Sequence, residues 1–135
     1  MLRSTVQIQD NSGVLVLRVI TSFNNKKNKP FFFPKLIVWG TIFKYRKYKE
    51  HERKAQRSVL KGNQKKYKRQ FAIITTTRKS FLRTNGVVCK HKATKGLLLT
   101  QKDGELRSRR VWGTMAKEIL LVDYTKFKFL KNRLV

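Results

Sequence analysis

Cysteine and long apolar runs are scarce in this sequence, and the scarcity of each excludes a class of protein. Cys89 is the only cysteine among 135 residues, so the chain cannot form an internal disulfide, which fits a reducing or matrix-like compartment. The longest apolar stretch runs from Leu36 to Phe43 and is far shorter than the roughly 20 residues that a membrane-spanning helix needs. We therefore expect no membrane partner.

The side chains that carry catalysis or bind metals are also few. The 7 carboxylates show no paired spacing of the kind that general acid and base catalysis uses. Cys89 and His91 are two residues apart, but two ligands do not make a zinc site and no second cluster follows. No GxxxxGK phosphate-binding loop is present either. We expect no catalytic residue, no metal, no cofactor and no small-molecule substrate, and we interpret Cys89 as a buried or idle thiol.

Positive charge is what the sequence has in excess. It contains 33 lysines and arginines against 7 acidic residues, which gives a net charge of +26. Small domains need a net charge of magnitude only about 2 to 8 for solubility, and a larger excess makes the compact state repel itself. A polyanion would supply the missing counter-charge, and nucleic acid is the commonest one. An anionic membrane surface is the rival partner, but the sequence has no amphipathic helix with an apolar face to bind it.

Short segments with a strand pattern recur along the chain and are separated by turn residues. Alternating or β-branched apolar residues predict strands at Thr5 to Gln9, Val14 to Ile20, Leu36 to Phe43, Gln70 to Thr77, Gly86 to His91 and Gly96 to Thr100. Turn signals stand between them, the strongest at Asp10 to Gly13, where we expect the aspartate to cap the turn. About six short strands with little helix favour a mainly β fold, a small closed barrel rather than a sandwich.

The remaining segments predict loops and short helices. Thr21 to Pro34 is a predicted loop, and Arg78 to Asn85 is a basic, hairpin-like stretch that ends at an Asn-Gly turn signal. Thr114 is a candidate N-cap for a short helix through Leu120. The residues from Tyr124 to Phe129 suggest a last extended piece.

A long basic segment interrupts the strand pattern at residues 44–69. It holds 12 basic residues in 26, with few aliphatic ones, so it cannot pack into a core and should protrude as a loop. Part of it, from Glu50 to Leu60, could form a helix that is marginal alone and orders on a partner. Its tyrosines could equally well stack on unpaired bases or pin the loop to the protein. We predict one domain over residues 1–135 with this loop protruding from it.

Two separated motifs carry a resemblance to a known family. Asp10-Asn11-Ser12-Gly13 after the first strand, and the run from Arg110 to Ile119, resemble the two signatures of the universal large-subunit ribosomal protein fourteen family of bacterial and organellar type. Between them, Phe71 to Thr77 followed by Arg78 to Gly86 is similar to that family's apolar strand and basic turn. The resemblance covers nearly the whole chain. The sequence departs from the family at Thr114, where proline is usual, and at Ser108, where glycine is usual.

The resemblance implies a five-stranded barrel with small C-terminal helices. It also implies a position on the intersubunit face of the large ribosomal subunit, beside ribosomal protein nineteen, with a bridge to small-subunit ribosomal RNA (rRNA). By motif position, Arg109, Arg110 and Lys126 would lie near that face.

Basic residues grouped in or beside loops are the candidates for binding large-subunit rRNA, since cations on loops around a rigid barrel suit a folded RNA. They are Arg18, Lys44, Arg46, Lys65, Lys66, Lys68, Arg69, Arg78, Lys79, Arg83 and Arg107. Trp39 and Trp112 are assigned to packing in the core or at its rim in preference to base stacking.

The abundance of Phe, Lys and Asn with only 2 Pro is typical of an AT-rich genome. Residues 1–10 lack the apolar core of a secretory signal and have too few arginines for a transit peptide, so we expect a mitochondrial ribosome, with the protein either encoded in the organelle or without its presequence. A plastid or the bacterial cytoplasm is the alternative. The alternative function is a free-standing RNA-binding barrel, such as a translation factor or RNA chaperone, which would expose aromatic residues on one face.

Overall fold

Five of the seven strands in the described part of the chain close into a barrel. The computed structural model describes residues 4–23, 32–45, 69–102, 104–121 and 127–135. The strands are β1 (Thr5–Ile8), β2 (Val14–Phe23), β3 (Ile37–Tyr45), β4 (Arg69–Thr76), β5 (Phe81–Leu82), β6 (Val88–Cys89) and β7 (Lys95–Leu99). The barrel order is β1-β2-β3-β4-β7, and closure comes from a parallel pairing of β1 with β7 while the other pairs are antiparallel. The predicted mainly β fold and the five-stranded closed barrel are confirmed.

The lumen of the barrel is the first hydrophobic core. Because successive side chains of a strand point to opposite faces, every second residue of β1 to β4 and of β7 turns inward. The buried inward residues are Val6, Ile8, Val14, Leu17, Val19, Leu36, Val38, Ala72, Ile74 and Leu98. This alternation is the pattern that predicted the strands.

A second hydrophobic core lies on the outside of the barrel. We call residues 111–121 and 127–135 the C-terminal segment. Those of its buried residues that pack against the outward residues of β4 and β7, Ile73, Leu97 and Leu99, are Val111, Met115, Ile119, Phe127 and Leu130. Met115 forms a parallel bridge with Leu134, so the end of the segment is held to its start. The C-terminal segment therefore covers the outer surface of the barrel at β4 and β7.

The C-terminal helices are short 3-10 helices, at Lys117–Leu121 and Lys128–Arg133. The first begins three residues after Thr114, so the prediction that Thr114 caps a helix is wrong. The predicted extended piece from Tyr124 to Phe129 is wrong where it is described, because Phe129 lies within the second 3-10 helix.

Two strand boundaries also differ from the prediction. β2 continues through Thr21 to Phe23, which the sequence placed in a loop, because these residues pair with Ile37 to Trp39 of β3. The predicted strand from Gly86 to His91 is reduced to Val88–Cys89.

The predicted hairpin near Arg78 to Asn85 is present as the two-stranded sheet β5-β6, which turns at Gly86 with a φ of 82°. Arg83 fixes the hairpin to the C-terminal segment: its Nε donates to Oε1 of Glu118, and its Nη2 donates to the Val135 carbonyl. His91 stacks on Phe81 at 6.4 Å between ring centroids. Burial, and then the nearby Arg83, lowers the pKa of His91, so its ring is neutral at pH 7.

The basic loop predicted at residues 44–69 overlaps the barrel at both ends. Lys44 belongs to β3 and Arg69 begins β4, so the connection between the strands comprises residues 46–68. These residues, and with them the possible helix from Glu50 to Leu60, lie outside the described part of the chain.

Candidate nucleic-acid interface

The two signature motifs of the sequence meet in a short antiparallel ladder, although about 100 residues separate them. The amide of Asn11 donates to the Arg110 carbonyl at 3.1 Å, and the amide of Trp112 donates to the Gln9 carbonyl at 2.8 Å. Asp10 and Val111 form the bridge between them. We call residues 9–11 and 110–112 the signature ladder.

A buried carboxylate holds the signature ladder against the barrel. Asp10 is 2% exposed, and its Oδ1 accepts from the Ser12 amide at 2.9 Å, which closes the predicted turn. Its Oδ2 accepts from the Leu98 amide of β7 at 2.8 Å, a cross-sheet bond that the sequence did not indicate. Burial raises the pKa of Asp10, although these hydrogen bonds and the charge of Arg107 act in the opposite direction.

The raised pKa of Asp10 predicts a pH dependence of stability. A group with a raised folded-state pKa stabilises the fold fully below its unfolded value, here 3.8, and loses that contribution as pH rises through the folded value. Asp10→Asn keeps the shape of the side chain and does not titrate. We expect the free energy of unfolding of the wild type, minus that of Asp10→Asn, to fall between pH 3.8 and pH 7 in urea titrations. A difference that is flat or rises with pH would contradict the burial of this carboxylate.

Three arginines project from the segment that leads into the signature ladder. Arg107, Arg109 and Arg110 are exposed, while their backbone is anchored. The amide of Arg107 donates to the Leu98 carbonyl at 3.0 Å, and that of Arg110 donates to Oγ of Ser108 at 3.3 Å. Ser108, where the family resemblance expects glycine, thus contributes a hydroxyl that accepts from the arginine segment. Fixed backbone with exposed guanidinium groups suits bidentate binding of phosphate.

A second group of cations lies on the outer surface of β2, β3 and β4. In the strand register Arg18 is opposite Thr41, and Thr41 is opposite Arg69, so the three residues form one row across the sheet. Arg18 and Arg69 are both exposed. This row continues along the sheet into aromatic residues, with Phe43 on one side and Trp39 on the other.

We call this surface the outer strand face. Its residues are Arg18, Phe23, Trp39, Thr41, Phe43, Arg69 and Phe71. Trp39 is half-buried, with its ring 6.3 Å from that of Phe71, so it lies outside the core, and Trp112 is 43% exposed.

The other candidate rRNA-binding residues are dispersed. Lys44 is exposed at the end of β3, and Arg78 and Lys79 are exposed in the turn after β4. Arg83 is half-buried and engaged by Glu118. Arg46, Lys65, Lys66, Lys68 and the intersubunit candidate Lys126 lie outside the described residues.

Sequence reasoning missed Lys102 and the exposed phenylalanines. The Nζ of Lys102 lies 4.6 Å from the centre of the Phe23 ring, and Phe43 is 56% exposed with the Arg18 guanidinium 4.2 Å from its ring centre. Part of this surface could have been identified from the sequence, because Trp39, Thr41 and Phe43 are spaced by two on one strand and therefore share a face.

Within residues 4–23, 32–45, 69–102, 104–121 and 127–135, no three His, Cys, Asp or Glu side chains group as a metal site would require. No helix in these ranges is long and apolar enough to cross a membrane. Cys89 is half-buried and has a free thiol.

The chain matches the model of the family described as ribosomal protein L14p/L23e over residues 1–135. No curated protein matches it significantly.

Proposed function

The chain belongs to the ribosomal protein L14p/L23e family, and we propose that it binds large-subunit rRNA and contributes to the intersubunit face and its bridges during translation. The family is one of structural, non-catalytic constituents of the large ribosomal subunit, with rRNA and ribosomal proteins as partners. The match over the full 135 residues is the observation that carries the proposal.

The physical properties of the chain support rRNA binding. A net charge of +26 favours a polyanion, and each phosphate neutralised by a side chain releases counterions. The exposed arginines stand on backbone that the signature ladder and the barrel hold in place, so little order has to be gained when they bind. Many modest phosphate contacts from a rigid barrel would fit the shape of one folded RNA site.

The proposal divides the cations by what surrounds them. Exposed cations of the described residues, Arg18, Lys44, Arg69, Arg78, Lys79 and Arg107, are assigned to large-subunit rRNA, together with the cations of residues 46–68. Arg83 is assigned a structural role instead, because Glu118 and the Val135 carbonyl already bind its guanidinium.

Arg109 and Arg110, with Lys126, are proposed to face the small-subunit rRNA. Ribosomal protein nineteen is the proposed neighbour on this side. The compartment proposed is the mitochondrial matrix, on the composition bias towards Phe, Lys and Asn. Residues 1–135 are proposed to form one domain from which the segment between β3 and β4 protrudes.

Crosslinking of the protein to RNA in intact cells, followed by sequencing of the attached RNA, tests the proposal. We expect reads at a few sites of large-subunit rRNA and a minor site in small-subunit rRNA, and the rRNA sequence itself will identify a mitochondrion, a plastid or a bacterium. Arg109→Gln with Arg110→Gln should reduce the small-subunit reads several-fold while the large-subunit reads persist, because the remaining phosphate contacts are retained.

The matched control for those arginines is Lys117→Gln, which removes an exposed cation from the first 3-10 helix, at a position that the proposal does not assign to the bridge. Reads spread over many messages would overturn the ribosomal proposal and favour a free-standing RNA-binding barrel. Small-subunit reads that fall equally in the Lys117→Gln control would contradict the assignment of Arg109 and Arg110.

A further inference from the structure

The outer strand face has a composition that phosphate binding alone does not explain. Trp39 and Phe43 lie four residues apart on β3, about 13 Å along the strand, and Arg18 and Arg69 flank the row between them. Sites that bind only phosphates need cations on a polar surface. Here large aromatic rings take positions that face outward from the barrel.

Three of the four aromatic rings on this face lie beside a cation. The Arg18 guanidinium lies 4.2 Å from the Phe43 ring centre, and that of Arg69 lies 5.3 Å from the ring centre of Trp39. Lys102 reaches in from the turn after β7 to Phe23, whose ring is 5.7 Å from that of Phe71. The surface is thus a set of flat rings and guanidinium planes with positive charge at its edges.

The second hydrophobic core, which the C-terminal segment covers, reaches the edge of this face, where Phe71 packs against it. Further along the same strands, Ile37 and Ile73 pack against the second hydrophobic core. Phe23 and Phe43 are 36% and 56% exposed, so the aromatic surface stays open where the covering ends. Rings of this size left exposed in a row are costly for a free protein and indicate a binding surface.

We propose that the outer strand face binds unpaired bases of large-subunit rRNA by stacking, an inference that rests on the proposed function. Trp39 and Phe43 supply the ring faces. Arg18 and Arg69 extend the stacks with their guanidinium planes, and together with Lys102 they bind the flanking phosphates. The cations favour RNA over an apolar protein partner. An apolar surface docked on this face would bury the positive charges of Arg18, Arg69 and Lys102 without counter-charge.

The need for stacking also determines whether the RNA at this site is base-paired or unpaired. In a duplex the base faces are occupied by neighbouring pairs, so only bulged, looped or single-stranded nucleotides can stack on a protein ring. The site therefore differs from the arginines of residues 107–110, which suit backbone phosphates of either form.

The test uses intact large subunits purified from cells that express the wild-type protein. Irradiation with ultraviolet light, nuclease digestion and mass spectrometry of the peptides should find nucleotide adducts on Trp39 or Phe43. In subunits that carry Trp39→Leu or Phe43→Leu, a short cluster of rRNA bases should become about fivefold or more reactive to dimethyl sulfate, because a stacked base loses its platform. Phe129→Leu is the control, since Phe129 is 50% exposed but lies in the second 3-10 helix.

The outcomes separate this inference from the proposed function. A wild-type protein absent from large subunits would overturn the proposed function itself. Adducts confined to other peptides, with unchanged base reactivity in both leucine variants, would overturn the stacking site and leave rRNA binding in place. Crosslinks from Trp39 or Phe43 to another protein would likewise overturn it, because that protein would cover the face.

Discussion

Replacing Gly40 with alanine is expected to destabilise the barrel by about 3 kcal/mol, the upper part of the range for overpacked cores. Gly40 lies in β3 opposite Val19, on the lumen side of the strand. A Cβ added there would lie within van der Waals overlap of the Arg18 carbonyl oxygen and 3.1 Å from Cγ of Leu17. The first of these neighbours is backbone, so β2 itself would have to move.

The close approach of β2 to β3 at Gly40 coincides with an irregularity in the pairing of these two strands. The register of β2 against β3 shifts between Val19 and Thr21, directly beside Gly40. Such irregularities bend a strand, and a glycine opposite one allows the two backbones to come close. Alanine would push the strands apart at the bend, and the separation would open the lumen core around Leu17 and Val38.

Urea denaturation of the purified protein at moderate salt measures the effect of Gly40→Ala. The control is Gly86→Ala, since Gly86 has open space around its Cβ position but a φ of +82°, which costs about 1 to 2 kcal/mol for an alanine. If Gly40→Ala proved no more destabilising than Gly86→Ala, the predicted contact between β2 and β3 would be wrong.

The barrel strands could be predicted because their signal is local. The apolar residues of Thr5–Ile8 alternate because they face the lumen, and Arg69–Thr76 contains an apolar, β-branched run because both of its faces are buried, so each strand can be identified without knowledge of its partners. The order of the strands is not local: β1 closes the barrel by pairing with β7, and nothing in either segment names the other. Here the family resemblance supplied what the pattern could not.

The C-terminal segment has short 3-10 helices in both places where the sequence predicted structure, first a short helix through Leu120 and then, wrongly, an extended piece from Tyr124 to Phe129. Its buried residues are spaced by three, as Ala116 and Ile119 are, and as Phe127 and Leu130 are. A spacing of three places side chains one above the other in a 3-10 helix, which has three residues per turn. Such short helices are stable here because they cover Ile73, Leu97 and Leu99 on the barrel surface.

The outer strand face escaped sequence reasoning for a related reason. The run from Leu36 to Phe43 is apolar on both of its faces, so Trp39 was assigned to packing in the core or at its rim and not to base stacking. Only the register shows that Trp39 and Phe43 face outward and that Arg18 and Arg69 lie in the row between them. The cation cluster near Arg107 was visible in the sequence, but the hydrogen bonds that anchor its backbone, with Asn11 as a donor and the Leu98 carbonyl as an acceptor, were not.

Deleting Glu50 to Asn63 from the connection between β3 and β4 is expected to leave the barrel folded and to impair assembly. The connection has 23 residues, 46–68, and the deletion leaves 9 of them, which can span about 30 Å. The gap is smaller: Thr41 pairs with Arg69, and Tyr45 lies four residues further along β3, about 13 Å away. Shortening the loop changes its closure entropy by only about 0.8 kcal/mol, so the free energy of unfolding should stay within about 1 kcal/mol of the wild type.

Assembly should respond far more strongly than stability to this deletion. The deleted residues include four cations, Arg53, Lys54, Arg57 and Lys61, and the loss of up to four phosphate contacts should lower incorporation into large subunits about tenfold at physiological salt. Sucrose-gradient sedimentation with quantitative mass spectrometry of the large-subunit fraction measures incorporation, and urea denaturation of the purified variant measures folding. A control that replaces residues 50–63 with a glycine-serine linker of equal length separates loop length from side-chain content, and it should fail to assemble as the deletion does. Global unfolding of the deletion variant would show that these residues belong to the barrel, and normal assembly of both variants would remove the loop from the RNA-binding surface.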